Sequence, residues 1–245
     1  MDSAAPRIRD AMQAVAQLRQ SRVGQPMLEK ACFDIKRFQA QRFSATYADL
    51  LHSPRYRRAA RFFLQELYGD QDYSQRDQQF ARIAGTIARL FPEAVVETAS
   101  VLAEVHALTE QLDDMMARQW LDHPQSTPQH VRYVQSWRKV ADRPARQRQL
   151  EVVLQLGHAL DRLTRMRGLR SLLRMMRAPA AAAGLSSLQA FLEAGFDAFS
   201  DMKGATEFLA MIEKRESRWI DALFEDEAVA SETKLLELLA GVQAH

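Results

Sequence analysis

The chain has 245 residues, of which 47% are hydrophobic and 26% are charged, and its formal net charge is +2. These values are ordinary for a soluble globular protein with a substantial core, and they argue against a disordered chain. No apolar run approaches the roughly 18 to 20 residues that cross a bilayer, and the first ten residues carry charges where a signal peptide needs an apolar segment. We therefore expect a cytoplasmic protein without a transmembrane segment.

Few helix breakers interrupt the chain, which contains 9 glycines and 8 prolines. Its abundant residues, such as Ala, Leu, Gln, Arg and Glu, are good helix formers, and no stretch shows the sustained alternation of a strand. We predict an all-α fold, a compact bundle of about nine or ten helices without a sheet. The predicted helices, in chain order, cover approximately residues 6–20, 26–51, 54–68, 75–90, 92–121, 128–140, 145–167 with a continuation over 169–177, 186–202, 207–224 and 234–242.

Residues 178–184, with the sequence APAAAAG, interrupt this pattern. Small residues and a proline are typical of a short linker, and this segment is the best candidate for a boundary if the chain forms two lobes. Helical character does not change on either side of it, so we predict a single domain over residues 1–245.

The segment from Ser53 to Asp77 contains a helix, its end and the start of the next helix. Ser53 is a typical N-cap and Pro54 fits the first helical position. Gly69 can adopt the left-handed conformation that ends a helix. Ser74 and Asp77 have the spacing of a capping box, which predicts the start of the next helix.

The turn between these two helices is rich in acidic and aromatic groups. A carboxylate and a guanidinium placed together can bind the polar groups of a partner. The same side chains could instead serve only to hold the corner between the helices. The candidate binding residues are Tyr68, Asp70, Asp72, Tyr73, Arg76 and Asp77.

One aromatic side chain on the helix before this corner needs a cover that the helix alone does not provide. Tyr56, Ala60, Phe63 and Leu67 recur at helical spacing and predict a buried stripe. Phe62 lies about 100° from Phe63 around the helix, outside this stripe. We expect Phe62 to pack on another helix, with a partner subunit or a ligand as the alternatives.

The segments FFLQELYG and DYSQRD, together with IKRFQAQRFSATYADLL at residues 35–51, carry a resemblance. They resemble the FFLxELYG and DYSxRD signature of a bacterial family of uncharacterised all-helical proteins. The similarity runs through most of the chain. It implies a helical fold but brings no activity, ligand or partner with it.

Three residues on one flank of the fifth predicted helix could form half of a metal site: His106, Glu110 and Asp113. The usual di-iron signature places a glutamate three residues before a histidine on each of two helices. Neither His106 nor His158 has one. His158 falls opposite its helix's apolar stripe, so we expect it to face solvent or a subunit interface.

The familiar enzyme motifs GxxxxGK[ST], GxGxxG, HExxH and GxSxG do not occur in the sequence. The single cysteine, Cys32, lies within an apolar pattern and is expected to be a small core residue rather than a nucleophile. We assign no catalytic residue and no cofactor. The preferred interpretation is a non-enzymatic protein-interaction or regulatory module, and the alternative is a small-ligand or metal/haem-binding helical bundle, possibly with enzymatic activity.

Charge is distributed unevenly. Residues 132–177 contain eleven arginines and one lysine against three acidic residues, whereas residues 190–245 contain twelve acidic and five basic residues. The two segments could attract each other within the fold, pair between copies of the chain, or leave a basic face from Arg132 to Arg177 for an acidic partner such as a nucleic acid. We favour the first.

An apolar patch lies inside the basic segment, formed by Leu172, Leu173, Met175 and Met176. Such a patch suits a partner helix or a membrane surface. It could equally be the inner face of a core helix whose arginines extend to solvent.

Overall fold

A computed structural model describes residues 4–67, 69, 71–225 and 227–243. Within these residues the fold is all-α, as predicted, and contains no strand. A π-helical turn over Phe63–Leu67 continues helix α4. The helices are α1 (Ala4–Arg22), α2 (Pro26–Thr46), α3 (Ala48–His52), α4 (Arg57–Phe62), α5 (Ser74–Leu90), α6 (Glu93–Trp120), α7 (Gln129–Val140), α8 (Arg143–Thr164), α9 (Leu169–Met175), α10 (Arg177–Ala182), α11 (Ser186–Met202), α12 (Thr206–Glu225) and α13 (Ala228–Gln243).

Two helices begin elsewhere than predicted. Helix α4 begins at Arg57, after a turn over residues 54–56. Ser53 Oγ accepts a hydrogen bond from the Tyr56 backbone N–H at 3.4 Å, which is the bond of an N-cap, so Ser53 caps this segment as predicted. Helix α13 begins at Ala228, well before the predicted residue 234. Ser231 lies inside this helix, where its hydroxyl donates to the Ala222 carbonyl oxygen at 2.7 Å and so joins α13 to α12.

The predicted linker at residues 178–184 is mostly helical and forms α10. Alanine is the strongest helix former, and Pro179 stands in the first turn, where a backbone N–H is not needed. Glycines in the left-handed region lie on both sides of the pair α9 and α10, at Gly168 (φ 81°) and Gly184 (φ 67°). Gly168 lies in the turn that separates α8 from α9, where the sequence predicted one helix that bends and continues over residues 169–177.

Helix α6 is the central element and packs against α1, α2, α7 and α8. One cluster of buried side chains joins α6 to α1, α5, α8, α11 and α12, and a second joins its C-terminal half to α2, α7, α12 and α13. The first cluster contains residues from both sides of residues 178–184. Burial on several faces explains why α6 carries apolar residues around much of its circumference.

Helices α4 and α11 approach each other closely at one point. Phe62 is buried there, with its ring centroid 5.4 Å from that of Phe191. A Cβ atom added at Gly195 would lie 2.9 Å from the Phe62 ring, so this crossing depends on a glycine. The prediction that another helix covers Phe62 is confirmed. Ala60 and Phe63 are buried as expected, whereas the side chain of Leu67 lies outside the described residues.

The basic and acidic segments pair with each other within the fold, which is the arrangement we favoured. Arg143 binds Asp221 and Glu225 at 2.6 Å each, and Arg170 binds Asp197 at 2.9 Å. These pairs are solvent-accessible and each contributes little to stability, typically about 0–1 kcal/mol. Their consequence is electrostatic, since they neutralise part of the basic segment.

Candidate functional site

Asp72 opens helix α5. Its carboxylate accepts hydrogen bonds from the backbone N–H and the hydroxyl of Ser74, both at 2.9 Å. These two bonds from Ser74 lower the pKa of Asp72. The predicted capping box is therefore wrong, because Asp72 supplies the acceptor and Asp77 turns into the protein.

Tyr73 and Arg76 face inward and hold the corner together. The Tyr73 ring is buried, and its hydroxyl donates to the carbonyl oxygen of Gln65. The Arg76 guanidinium lies 4.1 Å from the centroid of the Tyr73 ring and 4.7 Å from that of Phe191. A Cβ atom on Gly69 would collide with the Tyr73 hydroxyl, which gives this glycine a packing role. Tyr68 and Asp70 lie outside the described residues.

Asp77 is almost fully buried and accepts two hydrogen bonds from distant elements. Arg19 on α1 donates to it at 2.7 Å, and His106 on α6 lies 2.8 Å away through Nε2. Burial acts to raise the pKa of Asp77. The bond from His106 and the positive charges of Arg76 and Arg19 outweigh burial, so that the pKa lies below its ordinary value. Asp77 thus joins α5 to α1 and α6.

Glu110 lies one turn after His106 on α6 and is also buried. It binds Lys36 of α2, and Arg22 of α1 at 3.4 Å. Burial alone would raise the pKa of Glu110, but the charge of Lys36 and its hydrogen bond bring the pKa below its ordinary value. Buried carboxylates that are paired in this way stay ionised.

Asp113 and Asp114 have contrasting surroundings. Asp114 accepts hydrogen bonds from Arg22 Nε and Arg118 Nε, both at 2.8 Å. Asp113 is 2% exposed, and it accepts a hydrogen bond from the neutral amide of Gln39 at 2.7 Å. Burial raises the pKa of Asp113, and the nearby charge of Glu110 adds to this effect.

The structure brings His106, Glu110 and Asp113 to one region but gives each a separate partner. His106 binds Asp77, Glu110 binds Lys36, and Asp113 binds Gln39. Among the residues that the structure describes, no three or more His, Cys, Asp and Glu side chains are arranged to hold a metal ion. The cavity beside them has a volume of about 10 Å³, which leaves room for about one water molecule.

A larger, apolar cavity lies elsewhere, between helices α4, α5, α6, α8, α9, α10 and α11. Its volume is about 160 Å³. The wall is formed almost wholly by aliphatic and aromatic side chains, among them Phe80, Leu102, Leu156, Leu163, Phe191 and Phe196.

Two of the polar side chains in this wall are occupied. The Thr98 hydroxyl donates to its own helix at the Ala94 carbonyl oxygen, at 2.7 Å. Gln189 Nε2 donates to the Leu173 carbonyl oxygen at 2.6 Å. The described residues that line the cavity include no titratable side chain. Apolar cavities of this kind remain dry and accept apolar molecules.

One side of the cavity is closed by residues 169–182, which comprise α9 and α10 and which we call the flap. Leu169, Leu173, Met176 and Ala180 of the flap line the cavity. The apolar patch predicted from the sequence is thus divided, because Met176 lies over the cavity whereas Met175 is 67% exposed. Leu169 belongs to a small cluster of buried residues that is separate from the two larger ones.

The sequence did not predict the cavity, since its walls come from seven helices and one chain segment does not show which helices meet. The apolar patch inside the basic segment was the sequence feature that pointed to this part of the wall. Two other sequence predictions are confirmed: His158 is exposed on α8, and Cys32 is buried. Burial raises the pKa of the Cys32 thiol to about 12, so this cysteine is poorly suited to nucleophilic attack.

Among the described residues, every helix is too short or too polar to cross a lipid bilayer. Residues 17–230 match a family model described as a domain of unknown function, DUF8198. No curated protein and no solved structure matches the chain.

Proposed function

The chain belongs to the DUF8198 family, for which no function is known, and we propose that it is a non-enzymatic protein that binds a small apolar molecule in the cavity beneath the flap. The cavity itself is the observation that carries this proposal. A void of about 160 Å³ is similar in size to cavities that bind benzene, so a ligand with about six to ten carbon atoms is suitable.

The energetic cost of an empty cavity supports a bound molecule. At about 24 cal/mol per Å³, a dry void of this volume lowers the free energy of unfolding by about 4 kcal/mol. Typical domains have only about 5–15 kcal/mol in total. A ligand that fills the void regains part of this loss by packing against Phe80, Leu102 and Phe191.

The wall chemistry favours binding over catalysis. General acid–base and nucleophilic catalysis need titratable or nucleophilic side chains that reach the ligand. The described residues of the wall offer none, and both Thr98 and Gln189 are held by carbonyl oxygens.

A protein-interaction or regulatory role through the corner around Asp72 is the second proposal, together with a cytoplasmic location and a bacterial origin. Asp72 is solvent-exposed and could meet a partner. Tyr73 and Asp77 are buried, so a partner at this corner would meet mainly Asp72 and the edge of Arg76.

Native mass spectrometry of freshly purified protein tests the first proposal, followed by calorimetric titration of ligand-free protein with 1-octanol. We expect either a retained small molecule or octanol binding. Ala99→Leu places a larger side chain in the cavity and should weaken octanol binding at least tenfold. Ala94→Leu is the matched control, because Ala94 is exposed on the same helix. Absence of both retained ligand and octanol binding, or equal octanol affinity in the two variants, would overturn the proposal.

A further inference from the structure

A small pocket with polar walls adjoins the cavity beneath the flap, and we call it the polar pocket. Its volume is about 20 Å³. Its polar wall residues are Arg76, Asp77, His106 and Thr109. Four apolar side chains line both this pocket and the cavity: Phe80, Leu102, Leu188 and Phe191. A side chain that lines both spaces lies at their boundary, so the polar pocket is the immediate neighbour of the cavity.

Arg76 brings hydrogen-bond donors to this boundary. Its guanidinium lies 4.7 Å from the ring centroid of Phe191, which is one of the shared side chains. Its Nη1 atom donates to the Glu66 carbonyl oxygen at 3.1 Å. Its Nε and Nη2 atoms donate no hydrogen bond to the residues that the structure describes, since the carboxylate oxygen nearest to Nε, Asp77 Oδ1, is 3.6 Å away.

Asp77 offers an acceptor beside these donors. Arg19 and His106 both contact its Oδ2 atom, at 2.7 and 2.8 Å. Its Oδ1 atom accepts no hydrogen bond from the described part of the chain. The polar pocket therefore combines N–H donors with a carboxylate oxygen that can accept. A hydroxyl group both donates and accepts, so it complements the two.

Size and charge restrict the group that can enter the polar pocket. A volume of about 20 Å³ leaves room for about one group of the size of a water molecule, such as a hydroxyl oxygen. A carboxylate would bring a second oxygen and a negative charge that Asp77 repels. An ammonium group would be repelled by Arg76. A neutral hydroxyl group avoids both repulsions.

We propose that the ligand is a neutral, medium-chain primary alcohol, whose alkyl chain fills the cavity and whose hydroxyl group donates to Asp77 Oδ1 and accepts a hydrogen bond from Arg76. This inference rests on the proposed function, because it presupposes that the cavity binds a ligand. In the polar pocket the hydroxyl group keeps the hydrogen bonds that it would lose against the apolar wall. Despite burial, the bond from His106 keeps the pKa of Asp77 below its ordinary value, so the carboxylate is a weak base and the contact serves binding.

Calorimetric titration with 1-octanol, its isomer 1-methoxyheptane and octanoate tests the head group. The ether has the same atoms as octanol but no O–H donor, and octanoate carries a negative charge. In the wild-type protein we expect octanol to bind about tenfold more tightly than either compound, because only octanol can donate to Asp77.

Two arginine variants test the position of the hydroxyl group. Arg76→Met keeps much of the side-chain volume but removes the donors, and it should weaken octanol binding about tenfold. Arg215→Met is the matched control, since the Arg215 guanidinium also packs over a tyrosine ring, 5.4 Å from the centroid of Tyr47, and Arg215 lines neither space. It should leave octanol binding unchanged. Thermal melting verifies that both variants fold, and the comparison of the three compounds in the wild type needs no variant.

Each outcome bears on a different claim. Equal binding of octanol and the ether, or tighter binding of octanoate, would overturn the alcohol inference and leave the proposed function standing. An octanol affinity that is unchanged in Arg76→Met, or that falls equally in Arg215→Met, would overturn the placement of the hydroxyl group in the polar pocket. Failure of all three compounds to bind would overturn this inference, and without a retained molecule it would overturn the proposed function as well.

Discussion

The neighbouring aspartates of α6 should respond oppositely to the same substitution. Asp114 pairs with Arg22, whose side chain is 8% exposed, so Asp114→Asn removes the charge partner of a buried guanidinium. Breaking a buried pair costs about 3–5 kcal/mol. We expect Asp114→Asn to lower the free energy of unfolding by about 3 kcal/mol, at the lower end of this range, because Glu110 remains within 3.4 Å of Arg22.

Asp113→Asn should not destabilise the protein at neutral pH. The substituted amide can still accept the hydrogen bond from Gln39, and it removes a carboxyl group whose ionisation is opposed by burial. An acid whose pKa is raised on folding keeps its proton to a higher pH in the folded state than in the unfolded chain. Above about pH 4 the contribution of Asp113 to the free energy of unfolding therefore falls by up to about 1.4 kcal/mol per pH unit, until the folded pKa is passed.

The stability difference between Asp113→Asn and the wild type should thus be small at pH 4 and should grow in favour of the variant as the pH rises. Urea denaturation at pH 4, 5, 6 and 7, followed by circular dichroism and linear extrapolation, measures this difference. The lowered pKa of Asp77 affects both proteins equally and cancels in the comparison. A difference independent of pH, or a loss at pH 7 as large as that of Asp114→Asn, would refute the reasoning.

Four further results are expected. Ala99→Leu should raise the free energy of unfolding, measured in urea, by up to about 2 kcal/mol. The leucine adds three carbon atoms to the void, and each buried carbon contributes about 0.8 kcal/mol. No gain in the free energy of unfolding would mean that the void is already filled. Arg76→Gln should lower the free energy of unfolding by about 1–2 kcal/mol, because it removes a guanidinium that packs on two aromatic rings. Asp72→Asn should lower it by at most about 1 kcal/mol, because it only weakens the cap of α5. An Arg76→Gln variant that melts like the wild type but no longer retains a protein partner in a pull-down would favour the interaction proposal instead. Cys32 should react with iodoacetamide at pH 8 far more slowly in folded than in urea-unfolded protein. With a pKa of about 12, only about one folded thiol in ten thousand is ionised at this pH. Equal rates would show that the thiol is accessible.

Most helices could be predicted from the sequence because their start and stop signals are local. The exceptions have physical reasons. Ser231 has the side chain of a cap, but its hydroxyl donates to the Ala222 carbonyl oxygen of the neighbouring helix. Residues 178–184 have the small side chains of a linker, yet alanine favours the helix that forms there.

The candidate site was less predictable, because the sequence does not show which helices meet. The shared flank of His106, Glu110 and Asp113 is a local property of one helix and could be predicted. Their partners come from α1, α2 and α5, so the sequence could not distinguish a metal site from a buried ionic network. The cavity forms because seven helices pack without filling the space between them, and the sequence of a single helix does not show this.

The crossing of α4 and α11 places a constraint on the relatives of this chain. Gly195 leaves room for the Phe62 ring, and a Cβ atom in its place would come within 2.9 Å of that ring. A homologue with a larger residue at the position of Gly195 would have to carry a smaller one at the position of Phe62, or space its two helices further apart. We therefore expect these two positions, 133 residues apart in the chain, to vary together across the family.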